Sequence, residues 1–370
     1  MGDKVSIVIP TRNRAALLRA TLACVRAQTW RDREVIVVDE ASGDGTPAML
    51  DRDFPEVRIV RNREPQGPGA ARNIGAAAAN GDWLFFWDDD DLMHPGHLEA
   101  LVVASRAAPP GSLVSGRARA FAVAGATAVF SPVMCAAQER TDAETLSDFF
   151  EPLRQRSIAH STILWPRRLF ATIKWDEELL FYEDFDLCGQ AILAGHHIVG
   201  REVGMYYIRM HFGPRVTKGA SVRRMLSPAL YRLKWSALLQ GRPGYEECAA
   251  ALRNGLMQSI IELAGVPAAT HLMPRLQAAF AAWGGKRYYP VNPPRHPAKR
   301  AIAQLTLQLA GPAALRGMLE MVARLRPSPP TYIEGLKPPD SAADRADANA
   351  IRPFFERERP EPAIQPLPAA

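Results

Sequence analysis

The sequence predicts an α/β protein: a mostly parallel sheet with helices on both faces, then a helical region and a proline-rich tail. Three observations carry this expectation. Short β-branched runs alternate with stretches of helical periodicity from Val5 to Trp87, and the runs read as buried strands. Four consecutive acids, Asp88 to Asp91, directly follow the last of these runs.

Val5 to Ile9 form the first run, closed by Pro10, and Leu17, Leu18, Thr21, Leu22 and Val25 then recur at helical spacing. Glu34 to Val38 make the second strand, stopped by the polar turn Asp39 to Gly45, with a short helix near Pro47 to Leu50. Val57 to Val60 supply the third. The turn Gly67-Pro68-Gly69 leads into an alanine-rich helix to Ala79, Gly81 breaks it, and Asp82 to Trp87 form an aromatic strand. The acids therefore stand at a strand's carboxyl end, the edge of an open α/β sheet where ligands bind. Clustered carboxylates suit a hard cation such as Mg2+ or Mn2+; the competing reading is a solvated acidic turn.

From residue 96 to 215 the pattern is mixed, with strands expected at Ser112 to Ser115, Ala118 to Val123 and Thr162 to Trp165, and a helix after Asp184. This half is expected to face the first across a cleft. Beyond Ser227 amphipathic stretches near 230–239, 248–264 and 275–283 predict an appended bundle. Residues 298–326 set Leu and Ile among Lys299, Arg300, Arg316 and Arg324 with a break at Gly311-Pro312, which fits either a basic helical hairpin on a membrane surface or ordinary packing on the bundle. Ten prolines among the 44 residues from Pro327 to Ala370 predict an extended or disordered tail. The expected units are thus 1–226, divided into 1–95 and 96–226, then 227–326 and 327–370.

A chain of 370 residues that is 47% hydrophobic can bury a large core. Its charge of +6 suits anionic substrates, a membrane surface or nucleic acid alike, but no nucleic-acid-reading motif is present, so no such partner is expected. Cys24, Cys135, Cys188 and Cys248 form no CxxC pair, which predicts reduced, buried thiols and a cytoplasmic address. The first strand begins almost at once, with no expected signal peptide, and no apolar run reaches the ~18 residues of a spanning helix.

Five motifs, in order, resemble family 2 glycosyltransferases of the GT-A fold from about residue 5 to 212. Val5-Ser6-Ile7-Val8-Ile9-Pro10-Thr11-Arg12-Asn13 is similar to the family's opening strand and nucleotide-contacting turn. Val35 to Thr46 resembles its second strand and acidic turn, with Glu40 and Ala41 in place of the more usual Asp and Gly. Gly69-Ala70-Ala71-Arg72-Asn73-Ile74-Gly75 resembles its Ala-Arg-Asn-x-Gly helix start. Asp88-Asp89-Asp90 stands at the DxD position, and Glu183-Asp184-Phe185-Asp186-Leu187 resembles the acidic motif that holds the catalytic base.

The resemblance implies an inverting transfer from a nucleoside diphosphate donor, a UDP-sugar by expectation, to a hydroxyl of a glycan, a lipid-linked or a small acceptor. It assigns Asp90 to the metal, Mn2+ or Mg2+, and Asp88 to ribose or metal, with Asp89 turned away by strand alternation and Asp91 an alternative ligand. A cation there stabilises the charge that develops on the leaving diphosphate. Pro10, Thr11, Arg12, Asp39, Glu40, Arg72, Asp88 and Asp89 are implied as nucleotide contacts; for Arg72 a structural ion pair competes. Asp184 is implied as general base, Glu183 as its neighbour that positions it or binds acceptor, and Asp186 as structural at a helix N-terminus. His211 is either a metal or diphosphate contact on a closing loop or a structural residue, and Arg209, Arg215 and Lys218 nearby can neutralise phosphate. His160 lines the acceptor pocket or is structural. Trp87, Trp175 and Tyr182 are sugar-stacking candidates or core.

Other classes fit less well. A nucleotidyltransferase would carry a glycine-rich basic loop where this chain has Pro10 to Asn13, and Gly67 to Arg72 lacks the third glycine of a dinucleotide fingerprint. A catalytically silent sugar-nucleotide-binding or assembly protein of the same fold is the remaining alternative; intact Asp90 and Asp184 argue against it.

Overall fold

The computed structural model describes residues 3–124, 127–134, 141–150, 160–210, 221–286, 297–325 and 341–355, with residues 336 and 339. Its first part is β1 (Val5–Thr11), α1 (Ala15–Arg26), β2 (Arg33–Asp39), α2 (Thr46–Asp53), β3 (Arg58–Arg61), α3 (Pro68–Ala78) and β4 (Trp83–Phe86). The second comprises β5 (Leu92–Met93), α4 (His97–Ala107), β6 (Ser112–Ser115), β7 (Ala118–Ala124), β8 (Thr127–Phe130), α5 (Asp142–Phe150), β9 (Trp165–Pro166), α6 (Glu183–Leu193), β10 (His197–Gly200) and β11 (Tyr206–Arg209). Helices follow: α7 (Val222–Leu239), α8 (Cys248–Leu263), α9 (Met273–Ala282), α10 (Pro297–Leu325) and α11 (Ala342–Phe355).

The main sheet has the order β3-β2-β1-β4-β9. Pairings β1–β2, β1–β4 and β2–β3 are parallel and β4–β9 is antiparallel. Side-chain alternation divides its apolar residues between two cores. Val8, Ile36, Val38, Leu84 and Phe86 face the core shared with α3 and the helices α5 to α9, whereas Ile7, Ile9, Val37, Phe85 and Trp87 face the core shared with α1, α4 and α11. Burial on both sides explains why the strands lack polar alternation. α3 reaches the sheet closely because residue 75 is glycine: a Cβ there would stand 2.3 Å from Val8 Cγ1.

A second sheet, β5-β11-β7-β8, lies behind the acid run, with β11 parallel to β7 and antiparallel to β5. β6 and β10 form a separate parallel pair.

Three expectations are corrected or refined. The strand expected over 162–165 is instead a 3-10 turn, His160–Thr162, followed by the two-residue strand β9, because Pro166 cannot extend the ladder and a Ser115–Thr162 hydroxyl bond of 2.8 Å holds the turn. Within the tail expected to be extended, residues 342–355 are helical. Ser341 and Asp344 cap that helix reciprocally, the Asp344 amide donating to Ser341 Oγ (3.0 Å) and the Ser341 amide to Asp344 Oδ2 (3.3 Å), and Ala348, Ile351 and Phe355 are buried. Burying Ile351 and Phe355 contributes about 1.5–3 kcal/mol each. Over 297–325 the helix is interrupted at Gly311 (φ 81°, ψ 179°), where the break was expected. Among the described residues no helix is long and apolar enough to cross a membrane.

Candidate active site

The carboxyl ends of β1, β2 and β4 and the first turns of α3 and α6 converge on one cavity of about 650 Å3, a size that holds a small organic ligand. Pro10, Thr11, Arg12, Glu40, Arg72, Asp88, Asp89, Asp90, Glu183 and Asp184 all line it. Three tight backbone positions aim these turns. Asn13 (φ 54°), Ala41 (φ 55°) and Tyr182 (φ 71°) adopt left-handed conformations, unusual for residues with side chains, and each adjoins a residue of the site.

The four consecutive acids have four different surroundings, because the chain leaves the strand after Phe86 and strand alternation no longer governs them. Asp88 accepts from Arg72 Nη2 at 2.7 Å. Asp89, expected to turn away, accepts from Thr11 Oγ1 (2.7 Å) and Arg14 Nη1 (2.7 Å). Asp90 accepts from the same Arg14 nitrogen at 3.0 Å. Asp91, the expected alternative ligand, lines the cavity and accepts from the Tyr206 hydroxyl (2.8 Å) and the Arg209 amide (2.7 Å), tying the loop to β11. Thr21 Oγ1 donates to the carbonyls of Asp89 and Asp91, both at 3.0 Å, so α1 fixes the loop backbone as well.

Charge state follows from these partners. Burial opposes ionisation of Asp88, but the Arg72 guanidinium bonded to it outweighs burial and holds the carboxyl well below the usual range. Burial pushes Asp89 up to about 7 despite Arg14, and burial with the neighbouring Asp90 and Asp88 raises Asp91. Across the cavity, burial and then the charge of Glu183 raise Asp184 to about 6.

Arg72 joins the two sides. Its guanidinium, buried and 4.5 Å over the Trp175 ring, bonds Asp88 and also donates to Glu183 Oε1 at 3.2 Å. The ion-pair reading of Arg72 and its place in the cavity thus both hold. Asp186 is fully buried, accepting from Trp235 Nε1 (2.9 Å) and Lys234 Nζ (2.8 Å), which docks α6 on α7.

Other sequence candidates are placed elsewhere. Asp39 lies 2% exposed beneath its turn, accepts from the Ser42 amide at 3.1 Å and is not among the residues lining the cavity. Glu40 spends its carboxylate on the amides of Gln66 (2.7 Å) and Gly67 (2.6 Å), so it braces the loop before α3 while bordering the cavity. Arg209, expected to neutralise phosphate, donates through Nε to the Asp90 carbonyl (2.8 Å) and sits over Phe121, bracing the loop. Trp87, Trp175 and Tyr182 are core residues. His211, Arg215 and Lys218 lie outside the described residues. Sequence reasoning missed Arg14; its signal was a cation one residue past the Pro10 to Asn13 turn, at the mouth of a strand-to-helix connection.

No group of three or more His, Cys, Asp or Glu side chains able to hold a metal occurs among the described residues. Asp90 and Asp88 alone still fit Mg2+ or Mn2+ of the kind that keeps most positions for phosphate oxygens and water. That donor set is carboxylate only, as a hard cation requires.

Residues 6–159 match the model described as Glycosyl transferase family 2. The succinoglycan biosynthesis protein ExoO of Rhizobium meliloti (strain 1021) is 28% identical over 198 residues, 52% of this chain and 56% of that protein. The GalNAc(5)-diNAcBac-PP-undecaprenol beta-1,3-glucosyltransferase of Campylobacter jejuni subsp. jejuni serotype O:2 is 34% identical over 103 residues, 27% of this chain and 33% of that protein. The chain therefore spans 56% and 33% of the length of these two relatives. Among solved structures, residues 1–349 of S. aureus TarS in complex with UDP-GlcNAc align with a TM-score of 0.51 at 15% identity, over 87% of this chain and 92% of that one, a likeness of fold.

Proposed function

Since residues 6–159 belong to glycosyl transferase family 2 and the chain has the GT-A fold, we propose that it is an inverting glycosyltransferase that moves a sugar from a nucleoside diphosphate to an acceptor hydroxyl. The observation that carries this reading is the Arg72 bridge, which brings the acids after β4 and those opening α6 to one cavity.

In this reading the nucleotide lies against the β1 turn, Pro10 to Arg12, with the diphosphate toward Arg12, Arg14 and the acid loop and the sugar reaching toward Asp184. Asp90 with Asp88 would hold Mg2+ or Mn2+, which when bound offsets the charge of the diphosphate. The acceptor oxygen attacks the anomeric carbon on the face opposite the bond to phosphate. That bond breaks, its electron pair leaves with the diphosphate, and the acceptor proton passes to an Asp184 oxygen. A carboxyl raised to about 6 is ionised at neutral pH yet more basic than an ordinary aspartate, which suits a general base. One base and one displacement give inversion. Glu183, held by Arg72, positions Asp184 and raises its basicity.

The proposed donor is UDP-linked and the acceptor a glycan, a lipid-linked glycan or a small hydroxyl compound. We further propose a cytoplasmic enzyme that touches an anionic membrane surface through residues 298–326. Leu305, Leu309, Leu319 and Met321 are exposed on α10, in a segment whose sequence also carries Lys299, Arg300, Arg316 and Arg324. Co-flotation with anionic but not neutral vesicles is expected, and a protein that floats with neither counts against the contact.

A thermal-shift screen of nucleoside diphosphates and their sugar conjugates, with and without Mn2+, tests the donor half, because a ligand of the folded state raises its apparent stability. A rise with UDP that depends on metal supports the proposal; no response to any nucleoside diphosphate overturns it. Donor hydrolysis lost in both Asp90→Ala and Asp184→Asn distinguishes an enzyme from a silent binding protein.

A further inference from the structure

We propose that His160 is a specificity-determining residue of this site, reading a hydroxyl of the transferred sugar through its ring nitrogens; the inference rests on the sugar-transfer reading above. His160 lines the cavity together with Asp88 and Asp184 and is only 6% exposed. Neither Nδ1 nor Nε2 has a hydrogen-bond partner among the described residues. The nearest acid, Asp88 Oδ1, is 3.6 Å from Nε2, beyond hydrogen-bond reach, and already accepts from Arg72 at 2.7 Å.

An imidazole that is neutral carries one N–H donor and one acceptor nitrogen, and burying both unmet is costly to the fold. Such orphans in a native structure call for an explanation, and a ligand that supplies the partner is one. A sugar hydroxyl both donates and accepts, so it can serve either nitrogen. A second anion beside the ring is disfavoured, since Asp88 stands 3.6 Å from it and Asp184 lies close enough to feel its charge.

The ring is also held in place for this task. The His160 carbonyl accepts from the Ile163 amide (3.2 Å) and Trp165 Nε1 (3.3 Å), fixing the turn beneath it. Its ring stands edge-on to Trp175 at 5.1 Å and 90°, and the same indole carries the Arg72 guanidinium on its ring. Trp175 thereby sets the two cavity residues side by side, with their positions fixed before ligand arrives.

Calorimetric titration tests the assignment on wild type, His160→Leu and His160→Gln, in Mn2+, with UDP, UDP-glucose, UDP-galactose and UDP-GlcNAc and with GDP and GDP-mannose. The expected result is that His160→Leu binds the free diphosphate within twofold of wild type, binds the preferred sugar conjugate at least tenfold more weakly and flattens the ranking among sugars. His160→Gln, which keeps one donor and one acceptor, is expected to regain part of that loss. Unchanged sugar affinities and ranking in His160→Leu overturn the inference alone. Equal losses for diphosphate and conjugate, or a variant that does not fold while His160→Gln binds every sugar as wild type does, overturn it too. Wild-type protein that binds no nucleoside diphosphate overturns the sugar-transfer reading and this inference together.

Discussion

Asp88 and Glu183 are bound to one guanidinium: Arg72 Nη2 lies 2.7 Å from Asp88 Oδ1 and Nη1 lies 3.2 Å from Glu183 Oε1. The acids after β4 and the first turn of α6 are therefore spaced by a planar fork with fixed geometry. Arg72→Lys keeps the charge but supplies a single ammonium that cannot hold both carboxylates. Sugar transfer is expected to fall roughly 100-fold, the scale of losing one preorganised electrostatic contact. Steady-state kinetics check this, and a lysine variant within threefold of wild type contradicts it.

With Asp184 as the proposed base, its ionisation sets the acid limb of the reaction. The reactive form is the carboxylate, and burial with the Glu183 charge raises its protonation to about pH 6, so kcat/KM is expected to decline below about pH 6. Glu183→Gln removes the negative neighbour and is expected to move that limb to lower pH. The same shift affects stability. The folded state holds this proton more tightly than the unfolded chain, so the contribution is complete below the unfolded value, near pH 4, and is lost as pH rises through about 6. Asp184→Asn, which mimics the protonated form, is expected to abolish transfer yet stabilise the protein at pH 7 by roughly 1–3 kcal/mol. A denaturant titration showing it less stable than wild type at pH 7 refutes the linkage.

Ala41 occupies a left-handed position, φ 55°, in the turn after β2. An L-residue pays about 1 kcal/mol there that glycine does not. Ala41→Gly is expected to stabilise the fold by about that amount, read as a higher urea midpoint with an unchanged slope; a lower midpoint means the turn depends on the methyl group.

His97, the first residue of α4, is fully buried against the turn at Gly204, where a Cβ would stand 2.4 Å from its Nδ1. Burial drives its ring to about 3, so it stays neutral in the fold while the unfolded chain gains a proton near pH 6.5. Stability is then expected to fall by about 1.4 kcal/mol for each pH unit from 6.5 toward 3 on this account. His97→Phe, which keeps a ring beside Phe85 and Tyr206, is expected to flatten that acid slope. Parallel pH–stability curves for the two proteins exclude the mechanism.

The sequence read best where local chemistry and global fold agree. The apolar runs from Val5 to Phe86, the glycine turn before α3 and the acids past β4 are all signals within a few residues, and each marks a real element or cavity residue. What it could not supply is pairing across distance. Nothing near Asp91 shows that Tyr206 and Arg209 will claim it, nor does Asp39 advertise that it lies under its own turn. The tail helix was hidden for a different reason. Proline content dominated the reading of residues 327–370, although Ser341-x-x-Asp344 ahead of an alanine-rich run is a capping signal.

That final helix has a consequence for how the protein is made. Asp344 and Asp347 reach back to Arg119 on β7, and Asp347 accepts from the Tyr207 hydroxyl on β11, the strand whose neighbouring Tyr206 holds Asp91. The ribosome must therefore have made α11 before the backing of the acid loop is complete. Nascent chains stopped before residue 341 would have β7 and β11 without that brace, so the backing of the acid loop is completed late in translation.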